Sequence, residues 1–343
     1  MLDFSLELRG KFKMPYTSCR WLEHGISFNS DHIEMCCLRC HKGGGRIILS
    51  ENLDVHNFDW DKILEDRKKF IDDAKQGKLP KECEECFELN KKNWGKGGYI
   101  DTIHFDHWTK CNSNCVYCFT HSDKKEFNSK EHYNVLPLIE DLFEKKLFKP
   151  TGEITCAGVE PTLLEEFDDL VNLFLENGAR LKIHTSGLQY SETIAKGIEK
   201  GQITVVLSAD SGTKEMYSKV KGVEGFDIFW ENAKKYALSQ PKKNKNLVAT
   251  KYILIPDMNT NKSEIRKWLK LNKKAGIKCI ASDVEDNWCA DLRENNKPFP
   301  KKLRGLAKFI VNSADDLGFK FLFYNNFWYL YYDTQQKRDL FCE

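Results

Sequence analysis

Asp106-His-Trp-Thr-Lys-Cys111-Asn-Ser-Asn-Cys115-Val-Tyr-Cys118 places three cysteines at the spacing C-x3-C-x2-C, with an aromatic residue just before the last. Structural zinc sites and electron-transfer clusters normally take four protein ligands, so three thiolates leave one corner of a cubic iron–sulfur cluster open. An open iron is a place to do chemistry. Alone, the triplet also fits half of a zinc site, and the sequence around it has to decide.

From about residue 99 onward, short β-rich runs alternate with helical ones, the pattern of a parallel sheet. Strands are expected at Tyr99 to Phe105, Gly152 to Cys156, Leu181 to His184, Ile203 to Ser208, Val248 to Ile255 and Ile277 to Ser282. Helices are expected at Val135 to Lys146, Leu163 to Asn177, Ser191 to Lys200, Phe226 to Ser239, Lys262 to Ala275 and Lys301 to Leu317. These make an α/β chain of six β/α units, with the cysteine triplet in the loop after the first strand. In barrels of this kind, functional residues gather at the C-terminal strand ends. The strand ends here carry Cys156-Ala-Gly158-Val-Glu160-Pro161, Thr185-Ser186-Gly187 and Ser208-Ala-Asp210-Ser211. Gly, Ser and Asp are ordinary turn residues, so any one such element alone is ordinary loop chemistry.

Over about residues 99 to 290 this order resembles the radical S-adenosylmethionine (radical SAM) superfamily. The resemblance implies a partial (β/α)6 TIM-like barrel in which Cys111, Cys115 and Cys118 hold a [4Fe–4S] cluster, its fourth iron chelated by the amino and carboxylate groups of SAM. Gly158 and Glu160 match the family's Gly-Gly-Glu-Pro element, which engages the SAM amino group, with Val159 in place of the second glycine. Ser186 lies in the counterpart of the ribose-contacting Thr-Asn-Gly, and Ser208 in that of Ser-x-Asp-Ser. Tyr117 occupies the aromatic position beside the adenine, where plain packing is the other reading. Lys219 and Lys221 are candidates for the SAM carboxylate or else exposed helix lysines, and Asn259 is a rim or turn residue. The activity implied is reductive cleavage of SAM to a 5′-deoxyadenosyl radical, which abstracts hydrogen from an unidentified peptide or small molecule. An electron donor such as flavodoxin or ferredoxin is implied with it. The alternative is a non-catalytic iron–sulfur or zinc protein for electron transfer or partner binding.

Residues 1–98 are expected to form a cysteine-rich α+β module and residues 99–343 the barrel with an aromatic C-terminal extension. In the first, Gly25 to Cys36 reads as a hairpin, Trp60 to Lys75 as a helix, and Cys83-Glu-Glu-Cys86 follows. This series resembles the first half of a SPASM or twitch module, placed before the barrel instead of after it. By that resemblance Cys19, Cys36, Cys83 and Cys86 hold a second [4Fe–4S] cluster, with Cys37 and Cys40 as alternates. A four-thiolate zinc uses the same spacings. Gly43-Gly-Gly-Arg lacks the Lys-Ser/Thr of a phosphate loop and reads as a flexible turn. Asp283 to Trp288 puts acids and an indole at the end of the sixth strand, as substrate contact or solvated loop, and the aromatic run Phe319 to Tyr332 is expected to pack over the open end of the barrel.

Composition sets the outer bounds. The 343 residues carry 53 Lys+Arg against 51 Asp+Glu, a net charge of +2 that gives no argument for nucleic acid or membrane binding. The Lys-rich runs after Asp123 and Pro241 read as solvated loops. Thirteen cysteines, an odd number at close spacings, fit metal binding in a reducing cytosol better than a disulfide framework. The N-terminal residues lack the apolar core of a signal peptide, and no apolar run nears the ~20 residues of a membrane span, so a cytoplasmic protein is expected.

Overall fold

The computed structural model describes residues 15–37, 46–51, 55, 58–84, 86, 88–95, 97–118, 133–150 and 152–332. Cys40, the glycines 43–45 and the lysine run after Asp123 lie outside the described residues.

The strands are β1 (Tyr16–Ser18), β2 (Gly25–Asn29), β3 (His32–Glu34), β4 (Ile48–Glu51), β5 (Asn90–Lys92), β6 (Thr102–Asp106), β7 (Ile154–Cys156), β8 (Leu181–Thr185), β9 (Ile203–Ser208), β10 (Val248–Leu254), β11 (Cys279–Val284) and β12 (Lys320–Phe323). The α-helices are α1 (Arg20–His24), α2 (Trp60–Lys75), α3 (Leu136–Glu144), α4 (Phe167–Glu176), α5 (Glu192–Glu199), α6 (Lys214–Lys221), α7 (Phe226–Leu238), α8 (Lys262–Ala275), α9 (Asp286–Glu294), α10 (Lys301–Asp316) and α11 (Asn325–Tyr332). One open sheet runs in the order β12-β11-β10-β9-β8-β7-β6-β2-β3-β4. From β12 through β6 to β2 the neighbours are parallel, and β3 and β4 finish the edge antiparallel. This is the α/β partial barrel, with the N-terminal hairpin strand β2 joined directly to β6. A separate antiparallel pair, β1 with β5, closes the N-terminal region.

The strands form where buried and half-buried residues alternate, as in Leu181-Lys-Ile-His-Thr of β8. The fully buried positions of β6 to β11, among them Phe105, Ile183, Val205, Leu207, Tyr252 and Ile280, pack with the helices into the main core. Helix ends follow local chemistry. Thr213 caps α6 and Asn261 caps α8 through their side chains, and Gly222 and Gly276 end the same helices in the left-handed conformation. In the N-terminal region the buried Arg67 of α2 donates to the carbonyls of Trp21 at 3.0 Å and of Gly25, fixing α1 and the start of β2.

Three stretches differ from the expected elements. The Asp283 to Trp288 stretch is not a loop: Asp283 lies within β11, and Glu285 caps α9 by accepting from the Asn287 and Trp288 amides. Phe319 to Tyr332 forms strand β12 and helix α11. Its aromatic residues hid an alternation in which Leu322 joins Val206, Ala249 and Cys279 on one face, while Phe321 and Phe323 pack on Phe327 of α11. Helix α6, which carries Lys219 and Lys221 after the fourth barrel strand, is absent from the expected helix ranges.

Candidate functional site

Strand β6 ends at Asp106 and delivers the loop with Cys111, Cys115 and Cys118, all half-buried. The loop leans on the far end of α6: the amides of Asn114 and Val116 donate to the carbonyls of Lys221 (2.7 Å) and Val220 (3.0 Å). Contact is close enough that a Cβ on Gly222 would stand 2.5 Å from the Asn114 carbonyl oxygen. Tyr117 donates its hydroxyl to Asp210 Oδ2 at 2.6 Å, and Lys221 Nζ donates to the Tyr117 oxygen at 3.1 Å and to Asp210. Asp210 is 0% and Lys221 1% exposed. A buried ion pair holds only when its remaining polar valences are met. Here Asp210 Oδ1 also accepts from the Ile253 amide at 2.7 Å, and Asn259 donates to the Asp210 carbonyl at 3.0 Å. Burial pulls the Lys221 ammonium down, but Asp210 and then Cys115 outweigh it and hold its pKa above the ordinary lysine value. Burial pushes the Cys115 thiol up, and Lys221 opposes that. Lys221 is therefore engaged by Asp210, while Lys219 is exposed on the helix surface.

Glu160 is 1% exposed and binds together the ends of β7 and β8. Its Oε1 accepts from the Thr162 hydroxyl (2.6 Å) and the Thr185 hydroxyl (2.7 Å), and its Oε2 from the Ser186 amide (2.6 Å). Ser186 in turn donates its hydroxyl to Asn112 Oδ1 at 2.9 Å, inside the cysteine loop. Gly158 has φ +88°, and a Cβ there would fall 1.6 Å from Asp106 Oδ1; no side chain fits between that turn and the end of β6. Ser208 is half-buried at the end of β9, in register with Lys251. The cysteine loop, Glu160, Ser186 and Asp210 are thus one connected network, whereas Ser208 stands beside it. The hydroxyls, amides and thiols at these strand ends are donors of the kind that three-thiolate cluster ligation and a zwitterionic cofactor require.

Cys19, Cys36, Cys83 and Cys86 line a single small cavity of about 30 Å³, together with Leu22 and Met35. Cys37 is not on its wall. Cys19 caps α1, its Sγ accepting from the Leu22 amide at 3.3 Å. Burial pushes its thiol up to about 12, with further push from Cys83 and Cys86. Burial and then Cys86 push Cys83 up to about 11. Among the described residues no group of three Cys, His, Asp or Glu side chains converges in a single-ion site; the thiols surround a space instead.

The Asp210–Lys221–Tyr117 arrangement was not foreseen as a unit. The available signal was a lysine one residue before a helix-ending glycine, which placed the side chain at a packed helix end.

Comparisons with known proteins agree with this geometry. Residues 106–271 match a profile described as the Radical SAM superfamily. A GTP 3′,8-cyclase of Photorhabdus laumondii is 28% identical over 120 residues, 34% of this chain and 36% of that protein. The mycofactocin maturase MftC of Mycolicibacterium smegmatis is 26% identical over 119 residues, 34% of this chain and 29% of that protein. The chain therefore spans about a third of the length of these curated relatives. The crystal structure of Streptococcus suis SuiB shares the fold, with a TM-score of 0.53 at 15% identity, covering 83% of this chain and 60% of that one. SuiB has also been solved with its precursor peptide SuiA.

Proposed function

We infer that this chain, which belongs to the radical SAM superfamily, reductively cleaves SAM at a [4Fe–4S] cluster held by Cys111, Cys115 and Cys118. The observation that carries the reading is that the C-x3-C-x2-C loop lies at the C-terminal end of β6 and is bonded to the ends of β8 and β9 through Ser186–Asn112 and Tyr117–Asp210. When bound, the reduced cluster would supply the one electron that splits the sulfonium of a chelated SAM into methionine and a hydrogen-abstracting radical.

The residues of this chain orient and enclose. The backbone bonds to α6 and the buried Asp210–Lys221 pair fix the loop that carries the three thiols. Glu160 holds Thr185 and Ser186 at the ribose side and keeps acceptor capacity for an ammonium. Gly158 lets the β7 turn pass close to β6. Ser208 offers a hydroxyl on the open side of the sheet.

In the N-terminal module, Cys19, Cys36, Cys83 and Cys86 would ligate a second [4Fe–4S] cluster, supported by their shared cavity. A zinc at the same four thiols is the competing occupant. The module of residues 1–98 and the barrel of 99–343 would act together on a peptide or small molecule. Flavodoxin or ferredoxin would deliver the electron, and a reducing cytoplasm would keep the thiols competent. Among the described residues no helix is long and apolar enough to cross a membrane.

Anaerobic reconstitution with iron and sulfide, followed by an assay for 5′-deoxyadenosine under dithionite, tests the reading. The native protein should form it, and the Cys111/Cys115/Cys118→Ala protein should form none; formation by the triple variant would remove these residues from the site.

A further inference from the structure

The face of the sheet turned away from the main core is polar at its accessible positions. On it stand His104 and Lys182, then His184, then Ser208 and Lys251, and, at the last strands, Asp283 and Tyr324. Its floor is a small apolar cluster of Val206, Ala249, Cys279 and Leu322. The charges on this face are not equivalent. Lys182 pairs with Glu153 at 3.5 Å. The Asp283 carboxylate accepts from the Val284 (2.9 Å) and Phe327 (3.3 Å) amides. Lys251 has no carboxylate within ion-pair distance among the described residues, and its ammonium stands 5.5 Å from the centre of the Tyr324 ring. Lys182 flanks the same ring at 5.6 Å, and His184 meets it edge-on at 6.2 Å. The Tyr324 hydroxyl is buried without a hydrogen-bond partner among the described residues. Burial, then Lys251 and Lys182, hold His184 well below the ordinary imidazole pKa, while Asp283 and Glu153 add negative charge near the Tyr324 ring.

A half-buried ammonium with no carboxylate in direct ion-pair contact among the described residues, beside an imidazole and an unsatisfied phenol, is a binding site for the group that would complete all three. We propose that Lys251, with His184 and Tyr324, receives an anionic group of the substrate, a carboxylate or phosphate, on the inner face of the sheet one strand-end away from Ser208. That the ligand is the substrate rests on the radical reading above; the anion site itself does not.

Isothermal calorimetry with inorganic pyrophosphate and with succinate, in the presence of SAM, tests it and separates phosphate from carboxylate. One of the two should bind, and Lys251→Met should weaken that binding by about tenfold or more, while Lys270→Met on the exposed face of α8 leaves it unchanged. In the native protein the same anion should raise the pKa of the His184 ring followed by NMR. The Cys111/Cys115/Cys118→Ala protein should bind the anion as well as the native one, so failure of the radical reading would leave this result standing. Binding of neither anion, an unmoved His184 resonance, or equal binding in Lys251→Met, the mark of an adventitious ion only, would overturn the proposal.

Discussion

Cys111, Cys115 and Cys118 share one short loop, yet that loop is held by partners 93 and 104 residues distant, Asp210 and Lys221 acting through Tyr117. Cys19, Cys36, Cys83 and Cys86 are spread along a whole module, yet elements of that module alone line their cavity. The first arrangement joins its loop to the parallel sheet through buried charge; the second rests on a helix cap, a hairpin end and a short turn packed around apolar side chains. A site that must present an open coordination position to a second molecule is fixed from several strands at once. A site whose ligands close on themselves needs only its own scaffold.

The sharpest break of this contrast is Asp210→Asn. It leaves the Lys221 ammonium buried against a neutral partner and should cost about 3–5 kcal/mol of stability, read as a lower midpoint in denaturant titration. Cys19→Ser should cost far less in the same experiment on metal-free protein. Glu160→Gln comes next: the Ser186 amide and Thr185 hydroxyl lose a charged acceptor, worth about 1–3 kcal/mol. SAM affinity, measured anaerobically by calorimetry, should fall while the iron content stays; undiminished affinity would count against a SAM contact.

These two predictions mark where legibility ended. The triplet, the six expected strands and the strand-end motifs were readable because each lies within a few consecutive residues and alternation in strands such as β8 is strict. The four module cysteines were readable as a set, and the cavity wall favours Cys36 over Cys37. The Lys221–Asp210 pair was not, since an ionic contact between a helix end and a strand end has no local pattern. The aromatic run hid β12 and α11 because both faces of that strand carry apolar residues, which removes the alternation that marks a half-exposed strand.

Smaller effects sharpen the comparison. Burial pulls His104 from its ordinary 6.5 down to about 4. The folded protein therefore binds fewer protons than the unfolded chain between those values, and stability should fall as pH drops through that window. His104→Gln should flatten this part of a stability-against-pH curve; an unchanged slope would show that His104 does not contribute it. Cys37→Ala should alter iron content least of all, because the cavity excludes that thiol, whereas Cys36→Ala should empty the module.

The claim that the chain holds two separate cysteine centres meets its most direct test in the Cys111/Cys115/Cys118→Ala protein after anaerobic reconstitution. Iron counting and low-temperature EPR of the reduced sample should find about four irons and a cluster signal with no 5′-deoxyadenosine formed. One tightly held zinc with no iron would contradict the account and make the N-terminal centre structural.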